Sequence, residues 1–222
     1  MSKLAVANGD TEEYDYLIKI FVCGSPGVGK TSLIHHYVHY NFKDIYIPTQ
    51  EGNYSHSFVE IREKIVQLLF WDGVMPQGQQ ICQQIRRHQG VVLIYDITDQ
   101  NSLEAVNQFL LDSAKGSFSA CIVGNKTDLH DLRQVDYNTG KQIADCNGAA
   151  FCETSCKTGE NVESALLLLL PRIFASIAQN SLVKQNFLAR QKSETNKEGV
   201  LYHLIYFIKF IEKAREFLVQ YI

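Results

Sequence analysis

Short apolar runs alternate with polar segments along most of the chain, and these runs predict strands. Residues 16–23 and 90–97 are apolar almost without interruption, which is typical of strands covered on both faces of a parallel sheet. Residues 54–59 and 64–72 are separated by polar residues and predict an antiparallel hairpin at a sheet edge. The predicted strands are 16–23, 54–59, 64–72, 90–97, 119–124 and a run that begins near Ala149.

Between these strands, apolar residues recur with the spacing of a helix. Residues 32–40, 103–112 and 162–179 predict helices, and Pro171 is expected to kink or restart the last of them. Strands that alternate with helices are typical of α/β proteins, in which helices cover both faces of a mostly parallel sheet. We therefore predict an α/β fold with a sheet of about six strands.

Composition divides the sequence into a domain and its flanking segments. Residues 1–13 are polar and lack periodicity, so we expect a flexible lead-in. Residues 14–178 hold the predicted strands and helices and form the domain. A polar linker that could be partly helical is predicted at 179–198, and residues 199–222 are predicted to form an amphipathic C-terminal helical extension.

The C-terminal extension carries apolar residues at a spacing of three and four, among them Leu201, Leu204 and Ile208. Charged residues between them exclude a transmembrane segment. Three interpretations remain open. The helix packs on its own domain, which we favour, or it mediates self-association or partner binding, or it lies in the plane of a membrane surface.

The overall composition narrows the class of protein. An apolar share of 45% is that of an ordinary globular protein, and a net charge of -3 provides no broad basic field for nucleic acid. The six cysteines are scattered through predicted strands and loops, and no secretory signal precedes them. We therefore expect reduced thiols in a cytoplasmic protein.

The segment from Gly24 to Thr31 reads G-S-P-G-V-G-K-T and fits the pattern G-x-x-x-x-G-K-[ST]. It lies between a predicted strand and a predicted helix, where this pattern forms a phosphate-binding loop. Lys30 is then expected to contact the outer phosphates, and the Thr31 hydroxyl to bind Mg²⁺. The predicted phosphate-binding residues are Gly24, Ser25, Pro26, Gly27, Val28, Gly29, Lys30, Thr31 and Ser32.

Polar residues also follow two later strands. Asp72 ends the hairpin, where its carboxylate can hold a water of the Mg²⁺ shell. Asn125, Lys126 and Asp128 form N-K-x-D at the carboxyl end of another strand, which is where open α/β sheets bind ligands. The Asp128 carboxylate can accept hydrogen bonds from N1–H and the exocyclic amine of guanine, a donor pattern that adenine lacks. The stem of Lys126 is expected to pack along the base.

Taken in order, these motifs resemble the Ras-like small GTPases, most closely the Rab branch, over roughly residues 14–178. The resemblance implies a P-loop NTPase G domain that binds GTP, GDP and Mg²⁺. It implies that Phe42 packs on the guanine edge, that Tyr46 covers the phosphates and that Thr49 ligates Mg²⁺ only in the GTP state. The E-T-S-C-K stretch at 153–157 resembles a family motif whose backbone N–H meets the guanine carbonyl. The resemblance therefore places three residues of this stretch in the nucleotide site, namely Ser155, Cys156 and Lys157.

One stretch departs from the family pattern W-D-T-A-G-Q-E. After Trp71 and Asp72 the chain reads G-V-M-P-Q-G-Q. In the family, the glycine donates its N–H to the γ-phosphate and the glutamine beside it orients the attacking water. A misplacement of about 1 Å near the reacting atoms costs about 10²-fold in rate, so we expect slow intrinsic hydrolysis.

Two alignments of this second switch segment remain open. In the first, Gly73 is the phosphate-sensing glycine and Val74 replaces the glutamine. In the second, Met75 replaces the glycine and Pro76 replaces the glutamine. The weaker candidates for the role of the glutamine are Gln77 and Gln79.

The resemblance implies a switch that regulates vesicle and membrane traffic through effector, exchange-factor and activating proteins. Tyr54 and Trp71 match aromatic positions that Rab effectors contact. Rab proteins end in cysteines that receive prenyl groups, whereas the last cysteine here is Cys156, so we expect a cytoplasmic protein that is peripheral to endomembranes without a prenyl anchor. The alternative is a hydrolysis-deficient GTP-binding scaffold.

Overall fold

A mixed sheet lies at the centre of the residues that the computed structural model describes, which are 14–39, 53–61, 64–76, 79–113 and 118–191. Its six strands are β1 (Tyr16–Gly24), β2 (Asn53–Ile61), β3 (Lys64–Asp72), β4 (Gly90–Asp96), β5 (Ser119–Asn125) and β6 (Ala150–Thr154). They lie in the order β2-β3-β1-β4-β5-β6. Strand β2 is antiparallel to β3, and the other neighbouring pairs are parallel.

Helices cover the sheet from both sides. In the described ranges these helices are α1 (Lys30–His39), α2 (Gln79–Arg87), α3 (Gln100–Ser113), α4 (Tyr137–Cys146) and α5 (Val162–Gln191), with a short 3₁₀ helix at Thr127–Leu132. Leu33 of α1 and Leu169 of α5 belong to one buried cluster. Ile81 of α2, Phe109 of α3 and Ala144 of α4 belong to the cluster on the other face. The predicted α/β fold, a mostly parallel sheet of six strands with helices on both faces, is confirmed.

The burial of the strands explains their composition. Every residue of β4 and of β5 is buried, because helices cover both faces of these central strands. Strand β3 alternates instead. Val66, Leu68 and Phe70 are buried, while the residues between them are partly exposed. The sheet therefore has an incompletely covered face where β1, β2 and β3 meet.

The structure contains two helices that the periodicity did not predict. Helix α2 is rich in glutamine, and its core contacts come from Ile81 and Ile85, which are four residues apart. Helix α4 begins after Asp136, whose carboxylate accepts a hydrogen bond from the Asn138 N–H. This carboxylate is an N-cap, and it is the local signal that could have identified the helix.

Helix α5 runs without interruption through Pro171 to Gln191. It therefore does not restart at the proline, and residues 179–191 of the predicted linker are helical. The remaining linker residues, the lead-in at 1–13 and the predicted C-terminal helix at 199–222 lie outside the described residues.

The stretch Val162–Gln179 is long and apolar enough to cross a membrane by length and composition. Its apolar side, however, packs on the sheet. Ala165, Leu169 and Ile173 are fully buried in the cluster that also contains β1 and β4 residues. Packing in the core of the domain accounts for the apolar composition of this helix.

Candidate functional site

The motif residues meet at one edge of the sheet. Gly24, Asp72, Asn125 and Thr154 are the last residues of β1, β3, β5 and β6, respectively. Because these strands are parallel, their carboxyl ends lie along the same edge. Open α/β sheets bind ligands at this edge, so the fold brings together motifs that are far apart in the sequence.

The loop between β1 and α1 depends on its glycines. Gly27 and Gly29 have φ angles of 78° and 103°, which L-residues with side chains rarely adopt. A Cβ atom on Gly29 would lie 2.3 Å from the Asn125 Nδ2 atom. A Cβ atom on Gly24 would lie 2.2 Å from the Ile94 carbonyl oxygen. The backbone can therefore turn tightly into the positive N-terminal end of α1.

Lys30 lies over this loop. Its ammonium donates hydrogen bonds of 3.0 Å to the carbonyl oxygens of Gly24 and Ser25. Burial lowers the pKa of Lys30, and the nearby Asp72 carboxylate opposes that shift. Within the described part of the chain, Lys30 forms no ion pair. A partly buried cation in a loop of backbone N–H groups is suited to an anionic ligand.

Thr31 and Asp72 join the start of α1 to the end of β3. The Thr31 hydroxyl donates to the Asp72 Oδ2 atom over 2.5 Å, and Asp72 is buried. The pair places a hydroxyl and a carboxylate side by side next to Lys30. Hydroxyl and carboxylate oxygens are ligands that Mg²⁺ prefers in proteins, so the donor set of this site fits the cation.

Asn125 connects the motifs of the site. Its Nδ2 atom donates to the Val28 carbonyl oxygen over 2.8 Å. Its Oδ1 atom accepts from the Thr154 hydroxyl and from the Cys156 backbone N–H, at 3.2 Å each. Asn125 is only 2% exposed. One buried amide thus fixes the phosphate loop, the N-K-x-D segment and the E-T-S-C-K segment relative to one another.

The predicted base-binding residues Lys126 and Asp128 are held by charged and polar neighbours. Asp128 accepts a hydrogen bond of 2.6 Å from the Ser155 hydroxyl. Lys126 has a φ of 72°, and its ammonium lies 2.6 Å from the Asp96 carboxylate. Asp96 in turn accepts hydrogen bonds from the Thr98 N–H and hydroxyl. Contacts within the chain therefore hold the side chains of Lys126 and Asp128 in place.

Sequence reasoning did not identify Asp96 as a site residue. It is the last residue of β4, directly after an apolar run, and its position at a strand end is the signal that could have indicated a role. A single carboxylate at no fixed spacing from other polar residues is not part of a recognisable sequence motif. Its ion pair with Lys126 becomes evident only in the folded structure.

The other predicted residues differ in their exposure. Val28 and Cys156 are buried, Ser25 and Ser32 are half-buried, and Pro26 and Lys157 are exposed. Burial raises the pKa of the Cys156 thiol to about 12. This thiol lies beside the Gly29 carbonyl oxygen at 4.0 Å, so it acts as a small neutral group at neutral pH.

A family model described as the Ras family matches residues 19–175. The chain belongs to the Ras family. It is 34% identical over 195 residues to GTP-binding protein YPT1 of Saccharomyces cerevisiae, a match that covers 84% of this chain and 93% of that protein. It is 33% identical over 182 residues to GTP-binding protein ypt1 of Schizosaccharomyces pombe, covering 78% of this chain and 88% of that protein. The predicted resemblance to Ras-like GTPases, most similar to the Rab branch, is confirmed.

In this Ras-family chain, the second switch segment begins with Gly73, whose backbone N–H already donates a hydrogen bond. The Gly73 N–H donates to the Val22 carbonyl oxygen over 3.1 Å, which extends the pairing of β3 with β1. A Cβ atom on Gly73 would lie 2.4 Å from the Phe21 ring. Val74 is 45% exposed, whereas Met75 packs against the buried cluster on the α2 and α3 face.

Residues 40–52, which include Phe42, Tyr46 and Thr49, lie outside the described residues. Gln77 also lies outside them. Gln79 is the first residue of α2. The roles of these residues therefore stay predictions.

Proposed function

We propose that the chain is a Rab-like guanine-nucleotide switch that binds GTP and GDP with Mg²⁺ and hydrolyses GTP slowly. The observation that carries the proposal is the position of Asn125, whose amide ties the phosphate loop to both base-binding segments. The relatives named above are GTP-binding proteins. We further infer that the switch regulates membrane traffic through effector binding, with exchange-factor and activating proteins as partners.

The residues of the site fit the phosphates and the cation. The backbone N–H groups of the loop and the Lys30 ammonium would hold the β- and γ-phosphates. Thr31 would contact Mg²⁺ directly, Asp72 would do so through a water, and Thr49 would join them in the GTP state. The cation would neutralise charge that develops on the phosphate oxygens.

The base site favours guanine over adenine. The Asp128 carboxylate, held by the Ser155 hydroxyl at 2.6 Å, would accept from N1–H and the exocyclic amine of guanine. Adenine offers no matching pair of donors, so its binding would leave a charged acceptor unpaired at the site. The stem of Lys126 would cover one face of the base, while its ammonium stays on Asp96.

The hydrogen bond of the Gly73 N–H supports the second alignment of the second switch segment, in which Met75 replaces the family glycine and Pro76 replaces the glutamine. Its N–H is used by the Val22 carbonyl oxygen and is not available to a phosphate. Met75 then stands where the family has the phosphate-sensing glycine, and Pro76 stands where it has the glutamine. A proline side chain has no polar group to orient water, so hydrolysis is slow.

The same residues favour a second candidate function, which is a GTP-binding scaffold without turnover. Met75 packs against the core, and this packing opposes a rearrangement that would bring a glutamine to the γ-phosphate. The two functions differ only in the rate of hydrolysis. An activating protein can supply a glutamine or an arginine of its own, so the rate must also be measured with such a protein once one is known.

The first experiment is phosphate release from protein that has been loaded with GTP and Mg²⁺ and freed of unbound nucleotide, under single-turnover conditions. Lys30→Ala, which should not retain GTP, is carried through the same loading as the control for contaminating phosphatase activity. Slow release from the wild type and none from the control is the expected result. Intact GTP after many hours on folded wild-type protein would favour the scaffold.

A second experiment tests the base specificity. Asp128→Asn replaces a carboxylate oxygen, an acceptor, with an amide N–H donor. The variant should therefore lose affinity for GTP and gain affinity for xanthosine triphosphate, whose base carries a carbonyl in place of the exocyclic amine of guanine. The measurement is competition against a fluorescent nucleotide. Unchanged preference for GTP in the variant would contradict the proposed role of Asp128.

A further inference from the structure

Exposed apolar side chains gather at the amino-terminal end of β1, at the opposite end of the strands from the motif residues. Tyr14 is 45% exposed, Tyr16 36% and Leu17 37%. The described residues include eight exposed large apolar side chains, and three of them lie at this one place. Apolar side chains that are exposed together mark a contact surface more often than ones that are scattered singly.

Two of these rings lie on the face of the sheet that α5 covers. Side chains alternate between the faces along a strand, and Ile18, two residues after Tyr16, belongs to the buried cluster that contains Leu169 of α5. The strand partner of Tyr16 is Val66, which belongs to the same cluster. Tyr14 precedes Tyr16 by two residues. We call the exposed rings of Tyr14 and Tyr16 the tyrosine patch, and it continues the apolar face of the sheet beyond its buried part.

Helix α5 runs past the level of the tyrosine patch. A Cβ atom on Gly90, the first residue of β4, would lie 2.5 Å from the Ile173 Cδ1 atom, and Gly90 pairs with Ile20 of β1. Tyr16 precedes Ile20 by four residues, or about 13 Å of strand. The helix continues for eighteen residues after Ile173 to Gln191, or about 27 Å. It therefore extends beyond the end of the sheet beside the strand that carries the patch.

The sequence after α5 is long enough to return to the tyrosine patch. Residues 192–198 are polar, and a connection of seven residues falls within the range of about 2–8 that joins neighbouring helices. The predicted helical extension at 199–222 has 24 residues, which correspond to about 36 Å of helix. A helix antiparallel to α5 is then longer than the part of α5 that follows Ile173, so it reaches back to the level of the patch.

The composition of the extension suits such a surface. Its aliphatic residues recur at a spacing of three and four, and its aromatic residues recur at a spacing of four, as on one side of a helix. These residues are Leu201, Leu204, Ile208 and Ile211, and Tyr202, Tyr206 and Phe210, respectively. Aromatic rings that meet edge to face or offset add to the free energy of apolar burial. The extension therefore carries the apolar and aromatic side that two exposed tyrosine rings would contact.

We propose that residues 199–222 form a helix that runs antiparallel to α5 and packs its apolar side on the tyrosine patch of the same chain. Burial of the two rings and of the apolar side of the helix favours this contact. The short connection gives the helix a high effective concentration at the patch, which favours the same chain over a second copy. The inference goes beyond the proposed function, because the patch lies at the end of the sheet away from the nucleotide site.

The first experiment places the photoreactive amino acid p-benzoylphenylalanine at position 16 of the full chain, where its ring replaces that of Tyr16. Unlabelled and ¹⁵N-labelled protein are mixed and equilibrated before irradiation, and mass spectrometry identifies the crosslinked peptides. We expect crosslinks to residues 199–222 in which both peptides carry the same label, because both belong to one chain. The matched control carries the photoreactive residue at position 17. Leu17 has nearly the same exposure but lies on the other face of the strand, so this control should not crosslink to 199–222.

The second experiment measures hydrogen–deuterium exchange of the backbone amides of residues 199–222 in the full chain. We expect slow exchange in the wild type that does not depend on protein concentration. Tyr16→Lys should speed this exchange about tenfold or more, because it places a charge under the apolar side of the helix. Leu17→Lys, the matched control, should leave the exchange unchanged. Peptides from β4 and β5 are read in the same samples and should exchange as in the wild type if the domain stays folded.

Several results would overturn the inference. One is the absence of crosslinks from position 16 to residues 199–222, including the case in which residues 1–13 are crosslinked instead. Crosslinks between labelled and unlabelled chains would show self-association in place of packing on the same chain. Exchange of 199–222 that is slow only with vesicles of phosphatidylcholine and phosphatidylserine would show membrane binding. Fast exchange in the wild type, or equal effects of Tyr16→Lys and Leu17→Lys, would also contradict packing on the tyrosine patch.

Discussion

Asp96 and Lys126 form an ion pair in which each partner is already constrained. Asp96 is 7% exposed and is held by Thr98, while the backbone of Lys126 has a φ of 72°. An asparagine at position 96 keeps an oxygen for Thr98 but removes the negative charge that holds the Lys126 ammonium. The effect of Asp96→Asn should therefore act through Lys126.

We expect Asp96→Asn to weaken binding of guanine nucleotide by about 1–2 kcal/mol, or roughly 5- to 30-fold. The measurement is the dissociation rate of a fluorescent GDP analogue. In a Lys126→Ala background the same change should have little further effect, because the two residues act as one unit. Asp112→Asn, which removes an exposed carboxylate on α3, is the matched control. Equal effects of Asp96→Asn and Asp112→Asn would contradict the assigned role of Asp96.

Single residues differ in how well the sequence identifies them. Lys30 and Asp128 could be proposed from the sequence because phosphate and guanine recognition require fixed residue types at fixed spacing, and the functional roles of both residues stay predictions. Asp96 has no such spacing, and its role depends on a neighbour thirty residues away that only the parallel pairing of β4 with β5 brings close. Gly73 is a different case, since the choice between two alignments depends on the hydrogen bond that its N–H makes.

The segment between β3 and α2 controls hydrolysis in our proposal. If Met75 and Pro76 occupy the positions of the family glycine and glutamine, then the double substitution Met75→Gly with Pro76→Gln restores both groups. We expect the single-turnover rate of phosphate release to rise by about 10- to 100-fold. An unchanged rate in a folded, GTP-loaded variant would contradict this alignment.

Gly73→Ala is the complementary test of the same segment. The new methyl group would lie 2.4 Å from the Phe21 ring, so the variant should lose about 1–3 kcal/mol of unfolding free energy. Thermal denaturation followed by circular dichroism measures this loss. If Gly73→Ala keeps wild-type stability yet loses GTP affinity, then Gly73 acts at the phosphate and the first alignment is correct.

Whole helices and strands were predicted where their patterns are strong. The apolar runs of β1 and β4 locate the central strands because both faces of these strands are buried. Helix α2 was missed because its polar residues outnumber its core contacts, Ile81 and Ile85. The end of α5 was misplaced because the polar composition after Ala178 predicts a linker, whereas the backbone continues as a helix to Gln191.

In the molecule as a whole, ligand binding should couple to folding. The phosphate loop, the Thr31–Asp72 pair and Asn125 tie β1, β3, β5 and β6 together at one edge. A ligand that contacts all these strand ends binds only the folded chain. At a free concentration of 1,000 times the dissociation constant it adds about 4.1 kcal/mol to the free energy of unfolding.

For a chain of this size, 1 kcal/mol corresponds to a shift in melting temperature of about 2–4 °C. GDP with Mg²⁺ should therefore raise the melting temperature by roughly 8–16 °C. Chelation of Mg²⁺ with EDTA should remove part of this shift, because we propose that Thr31 and Asp72 hold the cation that joins them to the phosphates. ATP should produce no comparable shift, since Asp128 finds no matching donors on adenine, and Lys30→Ala should abolish the shift with GDP. Equal stabilisation by ATP and GDP would show that the phosphate loop binds nucleotide without the guanine selectivity that Asp128 and Ser155 are proposed to supply.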